Sequence, residues 1–530
     1  MFVESKTIQL LAPEVILILG ATAMYIVGAF RRSAVNWVFA LVGYLLAAGA
    51  LAAFGSPWTA ESTLSGPLVV DPMSLGLRWI ALLAGITFTL AVARLVNKEL
   101  EAEFLGTLML VIVGVMLTAS ANELVLLFLG LEMISVPTYV LLFLGRRDRA
   151  SAEATMKYFF LSLLSSALLL YGLCFLYGIS GTTVIAGTAQ FPGIREAFSA
   201  PTGLQPLMGL APLGLVFVLA GLGFKLAAAP FQFYAPDVYQ GTTNANAGLL
   251  AVAPKLAGVA GLIRVVLVAM PGAAEYVWQL ALVLAVLTMT IGNVCALWQK
   301  DLRRLLAYSS IAHGGYLLIG LAVGAASTTS GTSSGGIGGM LFYVLVYALA
   351  TMGTFCTLAY LGSAQREVGG VSELSGLAKH QPLAAATLAV FMFSLAGIPP
   401  LAGFWGKLTL FGGAMQISAA SSGSTLSGWF LVLAIAGAVN AAIAAAYYLR
   451  IIGVMYFQPA GTAVPAAGGM GALAGGVLCA LLVIVGGMFP AQVVGLSLRS
   501  EQLLRTGSPA KQPAANVPGT AQMAASSPQE

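Results

Sequence analysis

The chain has 530 residues, of which 59% are hydrophobic and only 8% carry a formal charge, with a mean hydropathy of +0.93. A soluble domain is typically about 25% charged, so this composition excludes a water-soluble globule as well as collagen-like, disordered and disulfide-scaffold chains. The net charge of +5 is small and scattered along the loops, which argues against nucleic-acid binding. The composition predicts a polytopic membrane protein.

Apolar runs predict fourteen spans when they are compared with the roughly 20 residues that a helix needs to cross a bilayer. The first 20 residues lack a basic n-region and a clear cleavage site, so we expect a retained first span rather than a signal peptide. Spans 335–362 and 383–415 are long enough to be tilted or broken, and the polar segment 499–530 predicts a disordered tail. The predicted spans are 12–30, 35–54, 73–97, 104–121, 123–145, 155–178, 207–229, 245–270, 277–299, 304–326, 335–362, 383–415, 427–457 and 467–489.

Positive charges lie mainly on one side of these spans. Loops after odd-numbered spans hold eleven Lys and Arg residues, including Arg31, Arg32 and Arg147, whereas loops after even-numbered spans hold only Arg195, leaving the tail aside. Because short cytoplasmic loops carry the excess of positive charge, we expect both termini on the outer side.

The cysteines and histidines are too few and too dispersed to predict a bound redox centre. The four cysteines have no CxxC spacing, and His313 and His380 are the only histidines. We therefore expect no cofactor and no metal site in this chain.

Charges inside the spans are costly and usually functional. Glu132 lies near the middle of span five, in GLEMISVPTYVLLFLG, five residues before Pro137. A buried carboxylate must be neutral, paired or hydrated, so Glu132 is either a structural ion-pair partner or a titrating group. The charged residues in the spans that follow favour a titrating role for Glu132.

Three lysines lie near mid-depth beside prolines. Lys225 precedes Pro230 in span seven, and Lys255 directly follows Pro254 in span eight. Lys407 lies two turns after Pro399 and Pro400 in span twelve. Snorkelling is the alternative for a membrane lysine, but it works best near helix ends.

The proline-interrupted spans seven and twelve are five spans apart, which indicates two inverted repeats of five helices. The predicted division is 1–103 for spans one to three, 104–270 and 277–457 for the repeats, and 467–489 for span fourteen. The fold class is therefore an all-α polytopic membrane protein with broken helices seven and twelve.

Other polar residues in the spans are more ambiguous. His313 in span ten is either a proton carrier between the lysines or a hydrogen-bonded packing residue. Ser162, Ser165 and Ser166 share one helix face, where they either order water or pack. Asp237 is expected to cap or turn the chain. We expect interface anchoring for Arg78, Lys157, Arg264 and Arg450.

Six segments resemble the antiporter-like membrane subunits of respiratory complex I, the proton-pumping NADH:quinone oxidoreductase, and in particular its subunit N branch. The resemblance runs over roughly 120–460. It is carried by GLEMISVPTYVL, KLAAAPFQFYAPDVYQG, APKLAGVAG, QKDLRRLLAYSSIAHGGYLL, SELSGLAKHQP and SLAGIPPLAGFWGKLTLF.

The resemblance implies a proton channel driven by quinone chemistry in other subunits. Glu132 and Lys225 match the family's glutamate–lysine pair, Lys255 its connecting lysine and Lys407 its terminal lysine. His313 is the fifth proton-transfer candidate. NAD, FMN, iron–sulfur clusters and quinone are expected in partner subunits. The other implied partners are neighbouring antiporter-like subunits, the lipid bilayer, protons and water, in the plasma membrane of a bacterium.

Two alternatives remain open: a subunit of a multi-subunit Na⁺/H⁺ antiporter, which shares the repeats, and a non-conducting scaffold of the membrane arm. APDVYQG, between Lys225 and Lys255, favours complex I. A stand-alone small-molecule transporter is disfavoured because no cluster of substrate-binding polar residues accompanies the proton candidates.

Overall fold

The computed structural model describes residues 5–30, 35–55, 63–146, 148–187, 191–199, 209–330, 335–363, 366–459, 464 and 466–506. The predictions for Arg31, Arg32, Arg147 and 507–530 lie outside these residues. The helices are α1 Ser5–Leu10, α2 Ala12–Phe30, α3 Asn36–Phe54, α4 Pro72–Val92, α5 Glu101–Ser120, α6 Leu124–Gly145, α7 Arg149–Ser180, α8 Ile194–Ser199, α9 Ala211–Leu226, α10 Tyr234–Gly241, α11 Asn244–Gly261, α12 Ala274–Leu297, α13 Leu302–Ser330, α14 Gly336–Leu361, α15 Leu377–His380, α16 Pro382–Ala396, α17 Ala402–Ala420, α18 Thr425–Phe457, α19 Met470–Met488 and α20 Pro490–Thr506.

The fold is an all-helical membrane bundle, as predicted. Thirteen helical segments among the described residues are long and apolar enough to cross a bilayer. The one remaining predicted span, the twelfth at 383–415, is divided between two helices, α16 and α17. A short antiparallel hairpin, β1 Thr63–Ser65 with β2 Leu68–Val70, precedes α4. The residue limits of the two predicted repeats stay a prediction.

The seventh span is broken after Lys225, as the glycines and proline around it predict. Helix α9 ends at Leu226, and Ala227 takes a left-handed backbone conformation with φ +55°. Pro230 has no amide hydrogen to donate, and the chain then passes through a 3₁₀ turn, Phe231–Phe233, into α10. Backbone carbonyls at the end of α9 therefore lie inside the bundle without α-helical partners.

The twelfth span is broken in the same manner, while the eleventh is not. Helix α16 ends at Ala396, Gly397 has φ +87°, and α17 begins at Ala402 after Pro399 and Pro400. Glycine suits this position because it adopts positive φ without the Cβ penalty. The long predicted span 335–362 is the single unbroken helix α14.

Two arginines predicted to anchor at the membrane interface are instead buried in ion pairs, so that prediction is wrong for them. Arg78 donates to Glu14 Oε2 at 2.6 Å and to the Leu10 carbonyl at 2.8 Å. Arg264, in the π-helical turn that follows α11, donates to both carboxylate oxygens of Asp71 at 2.6 and 3.0 Å. These charges are stable in the interior because each guanidinium faces a carboxylate.

Arg450 and Lys157 differ from these two buried arginines. Arg450 is exposed and donates to the carbonyls of Leu297 and Gln299, at 2.9 and 2.8 Å. Lys157 has a partly exposed side chain that pairs with Glu153 and Asp237. Interface anchoring of Arg450 and Lys157 stays a prediction.

The predicted disordered tail begins too early, because 499–506 belong to helix α20. Glu501 is buried, accepts the Gly338 amide at 2.9 Å and pairs with Arg505 at 2.9 Å. Arg505 also donates to the Gly324 carbonyl at 3.0 Å. These contacts with α13 and α14 order a polar sequence whose composition alone indicates disorder.

Candidate functional site

The five residues predicted to carry protons all lie within the helical bundle. Lys225, Lys255, His313 and Lys407 are 3%, 2%, 3% and 4% exposed, and Glu132 is half-buried. We call these five residues the buried polar axis. Since an unpaired charge in such a place is costly, the partners of each residue decide what the axis can do.

Glu132 and Lys225 are connected through serines rather than through a direct ion pair. Lys225 Nζ donates to Ser135 Oγ at 2.6 Å and lies 3.4 Å from Ser162 Oγ. Ser166 Oγ donates to Glu132 Oε1 at 2.5 Å. Within the described ranges no Lys225–Glu132 contact of 4.0 Å or less is found. Helix spacing explains the arrangement, because Glu132 and Ser135 share one face of α6, and Ser162 and Ser166 share one face of α7.

The serine face of α7 therefore has a defined role. Two of its hydroxyls bind the acid and the lysine, and Ser165 Oγ donates to the Gly221 carbonyl at 3.0 Å. Gly221 lies in α9, the half-helix that carries Lys225. The same face thus holds α9 in place and solvates both ionisable groups.

Lys255 contacts α13 and α14. Its Nζ donates to the Ser310 carbonyl and lies 5.1 Å from the centroid of the Tyr347 ring, where the π-face attracts a cation. The Tyr347 hydroxyl is 2.8 Å from Ser310 Oγ, and Tyr239 approaches the same Oγ at 3.3 Å. A carbonyl and an aromatic ring therefore stabilise the Lys255 ammonium group, and the hydrogen-bonded hydroxyls of Ser310, Tyr347 and Tyr239 belong to the same residues or their neighbours.

His313 is bound on both ring nitrogens. Nδ1 is 2.6 Å from the Tyr343 hydroxyl, and Nε2 is 3.0 Å from the Tyr448 hydroxyl, which also contacts Ser309 Oγ. A neutral imidazole has one donor and one acceptor nitrogen, and a tyrosine hydroxyl is both donor and acceptor. Reversing these hydrogen bonds exchanges the two tautomers of the ring.

Lys407 lies against the end of a half-helix. Its Nζ donates to the carbonyls of Leu395 and Ala396 at 2.8 and 3.0 Å, both in the last turn of α16. The Nζ also lies 5.1 Å from the centroid of the Tyr316 ring. The C-terminal end of a helix carries partial negative charge, so the break in the span creates a cation site in the membrane interior.

Gly314 of α13 marks the place where the first broken span meets the second half of the bundle. A Cβ added there would lie 2.6 Å from the Leu226 carbonyl oxygen and 3.8 Å from Lys255 Nζ. The absence of a side chain lets α13 approach the carboxyl end of α9 closely. The Lys255 ammonium group thus lies next to that end.

Sequence reasoning missed the aromatic hydroxyls that join the axis. Tyr343 and Tyr347 are spaced i, i+4 on α14, and His313 and Tyr316 are spaced i, i+3 on α13. This spacing was the available signal, although tyrosines in membrane helices more often indicate packing or an interface. Tyr448, on α18, has no such sequence signal.

Asp237 does not act as predicted. It lies in the first turn of α10, and its carboxylate accepts from Lys157 of α7 and Arg304 of α13, each at 2.7 Å. The residue links three helices near the break instead of capping a turn. Its position at the junction explains why sequence spacing alone did not reveal its partners.

The four cysteines are free. In the part of the chain that the structure describes, no group of three or more His, Cys, Asp or Glu side chains is placed to hold a metal ion.

A bundle with two interrupted spans and a buried series of Glu, Lys, His, Ser and Tyr defines a membrane protein of the proton-translocating, antiporter-like class. A family model for the transmembrane region of NADH:quinone oxidoreductase and Mrp antiporters matches residues 121–432. Subunit N of the quinone oxidoreductase from Trichlorobacter lovleyi is 38% identical over 459 residues, covering 86% of this chain and 89% of the relative. The Sphingopyxis alaskensis subunit N is 37% identical over 494 residues, covering 92% and 97%.

Solved structures agree with the sequence relatives. A chain of respiratory complex I from Thermus thermophilus with bound aureothin is 32% identical, with a TM-score of 0.74 over 92% of this chain and 99% of that one. A chain of the Mrp complex from a Dietzia species has a TM-score of 0.78 over 94% and 98%, but its 20% identity shows a shared fold alone. The chain therefore belongs to the NADH:quinone oxidoreductase and Mrp antiporter membrane family, in its subunit N branch. It is an antiporter-like, proton-translocating membrane subunit of NADH:quinone oxidoreductase.

Proposed function

We propose that protons move along the buried polar axis, from Glu132 through Lys225, Lys255 and His313 to Lys407. The observation that carries this proposal is the set of hydrogen bonds around each member, together with the close approach of α13 to the end of α9 at Gly314. Such groups exchange protons directly or through single water molecules when they lie within hydrogen-bond reach.

The first step is exchange between Glu132 and Lys225. A protonated lysine has three donors and no acceptor, and Ser135 and Ser162 provide hydroxyl acceptors for it. Rotation of these hydroxyls and of Ser166 changes which of the two ionisable groups is better solvated. The proton then leaves Lys225 when Glu132 is neutralised.

The second step carries the proton past Gly314 into the other half. Lys255 receives it beside the end of α9, next to the hydrogen-bonded Ser310 and Tyr347 hydroxyls. The Tyr347 ring packs against His313 with centroids 5.0 Å apart, and His313 is hydrogen-bonded to Tyr343 and Tyr448. The imidazole passes a proton by accepting on one nitrogen and releasing from the other. Lys407 receives it at the carboxyl end of α16, where two carbonyls stabilise the ammonium form.

The source of energy lies outside this chain. As the family resemblance implies, quinone reduction in partner subunits drives the axis, and NAD, FMN, iron–sulfur clusters and quinone are bound there. We place the chain beside other antiporter-like subunits of complex I in a bacterial plasma membrane, with both termini on the outer side. The excess of basic residues in loops after odd-numbered spans supports this orientation.

Two other functions account for the same fold. A subunit of a multi-subunit Na⁺/H⁺ antiporter shares the architecture, as the Mrp chain does, but the 36–38% identical relatives that span most of this chain are subunits N. A scaffold that conducts no protons would not require buried lysines at the breaks. Co-purification with small antiporter subunits, in place of flavin and iron–sulfur subunits, would favour the antiporter.

Lys225→Met in the assembled complex tests conduction. Methionine keeps most of the length of the side chain, and because Lys225 Nζ binds serine hydroxyls, its removal leaves no carboxylate without a contacting ion-pair partner. We expect NADH-driven proton uptake by proteoliposomes to fall strongly, while Lys98→Met, at an exposed lysine, retains it. Wild-type pumping by an assembled Lys225→Met complex would rule out the axis and leave the scaffold.

A further inference from the structure

An apolar groove runs along the surface of the bundle between α4, α14, α19 and α20. It consists of two adjoining cavities of about 210 and 460 Å³. Trp79, Ile80, Leu345 and Val493 line both cavities and make them continuous. We call this feature the α4–α20 groove, and it takes no part in the buried polar axis.

The length of the groove matches one leaflet of a bilayer. Along α4 its lining extends from Pro72 to Leu83, which is about 17 Å at 1.5 Å per residue. The hydrocarbon core is about 30 Å thick, and α4 begins at Pro72, directly after the hairpin. The groove therefore reaches from one membrane boundary to mid-depth.

Polar and charged groups lie at the boundary end. Ser497 and Ser500 line the cavity beside Pro72, and Arg499 is exposed on the same stretch of α20. Across the described residues Arg499 has no hydrogen bond or ion pair. A guanidinium at the headgroup level is well suited to bind phosphate oxygens.

We propose that the α4–α20 groove binds a phospholipid, with one acyl chain along the apolar walls and its phosphate beside Arg499. The walls exclude water, because a hydrated apolar groove within a bilayer would leave the water without hydrogen-bond partners. The matching length and the cation at the boundary select a lipid over a short apolar ligand.

The lipid lies directly behind the buried polar axis. Leu341 and Leu345 of α14 face the groove, whereas Tyr343 and Tyr347 of the same helix contact His313 and the Ser310 hydroxyl on the opposite side. Ala402, which begins the half-helix carrying Lys407, also lines the groove. An acyl chain here fills the space against which α14 and α17 pack.

Photo-cross-linking of the assembled complex tests the site. The complex is reconstituted in vesicles of phosphatidylethanolamine and phosphatidylglycerol that contain phosphatidylglycerol with a diazirine in one acyl chain, and labelled peptides are identified by mass spectrometry. We expect α4 and α20 peptides around Trp79 and Val493 to be labelled more strongly than the exposed face of α18. Equal labelling would mean ordinary bilayer contact and would overturn the proposal.

Filling the groove provides a matched variant. Gly486 lines the deeper cavity, and a Cβ there would lie 3.6 Å from the Ala402 Cβ, an ordinary contact, so Gly486→Leu places a side chain in the groove without displacing backbone. It should lower groove labelling to the α18 level, while Gly412→Leu, at a glycine with open space around it, should not. Unchanged labelling in Gly486→Leu, or cross-links from a neighbouring subunit over the groove, would overturn the proposal.

The headgroup contact has its own test. Arg499→Gln should reduce the preference for diazirine-phosphatidylglycerol over diazirine-phosphatidylethanolamine by about five-fold, the effect of one basic residue near an anionic surface. Arg499→Lys should retain the preference. An unchanged preference in Arg499→Gln would refute a phosphate contact at this residue.

Discussion

Removing the Tyr343 hydroxyl should slow proton transfer through this subunit. Tyr343→Phe keeps the ring, which packs against His313 with centroids 5.7 Å apart, and deletes only the group that lies 2.6 Å from Nδ1. A buried ring nitrogen left without a partner costs about 1–3 kcal/mol, which corresponds to about a 5- to 150-fold change in an equilibrium or rate. We expect a loss of proton flux within this range.

The assay is NADH-driven proton uptake by proteoliposomes, measured together with NADH oxidation in the same preparation. Tyr360→Phe is the matched control, because Tyr360 lies on the same helix but bonds to Gln381, away from the axis. Tyr448→Phe removes the partner of the other ring nitrogen and should also lower the flux if the proton crosses the imidazole. Wild-type uptake by an assembled Tyr343→Phe complex would refute a relay through His313.

Three further changes test the framework around the axis. Arg264→Met leaves Asp71 buried without its partner, so it should lower the unfolding free energy by about 3–5 kcal/mol. Adding Asp71→Asn should recover part of this loss in thermal unfolding of the purified complex. Strictly additive losses from the two substitutions would contradict the pairing. Gly397→Ala places a Cβ at φ +87° and should cost about 1–2 kcal/mol, whereas Gly412→Ala should not lower the melting temperature; equal melting temperatures would argue against the left-handed turn. Glu501→Gln should raise hydrogen exchange in α20, and unchanged protection would show that this carboxylate does not hold the helix.

Each of the two broken spans carries a buried lysine close to its break. A broken span presents backbone carbonyls inside the membrane, where water cannot satisfy them. Lys407 donates directly to two such carbonyls, and Lys225 lies in the last turn before the other break. At the second break the half-helix end and the Lys407 ammonium group therefore compensate each other, whereas at the first break Lys225 is solvated by Ser135 and Ser162.

The buried pair Glu14–Arg78 joins two of the three N-terminal spans, α2 and α4, and the pair Asp71–Arg264 fastens α4 to the rest of the bundle. Asp71 caps α4, and Arg264 reaches it from the π-helical turn after the helix that bears Lys255. Arg264 also donates to the Ala119 carbonyl at 3.1 Å, at the end of α5. This three-way contact fixes the position of the turn relative to α4 and α5.

Local chemistry was enough to predict several features from the sequence. The low charge content indicated membrane spans, because a water-exposed surface cannot be built from so few charges. Proline and glycine predicted the breaks near Pro230 and Pro400, since proline cannot continue the amide hydrogen-bond series. Charged residues are rare in membrane spans because an unpaired charge is costly there. This rarity was enough to identify four candidates for proton transfer: Glu132, Lys225, Lys255 and Lys407.

Other features depend on which helices become neighbours, and no short stretch of sequence encodes that information. The serines joining Glu132 to Lys225, the tyrosines on both nitrogens of His313, and the carbonyl partners of Lys407 lie 11 to 135 positions from the groups that they bind. Arg264 and Arg78 appear near predicted span ends but find carboxylates 193 and 64 positions away. A side chain near a span end is stable either in the headgroup region or against an opposite charge. Only the packing of the helices decides which of the two is available.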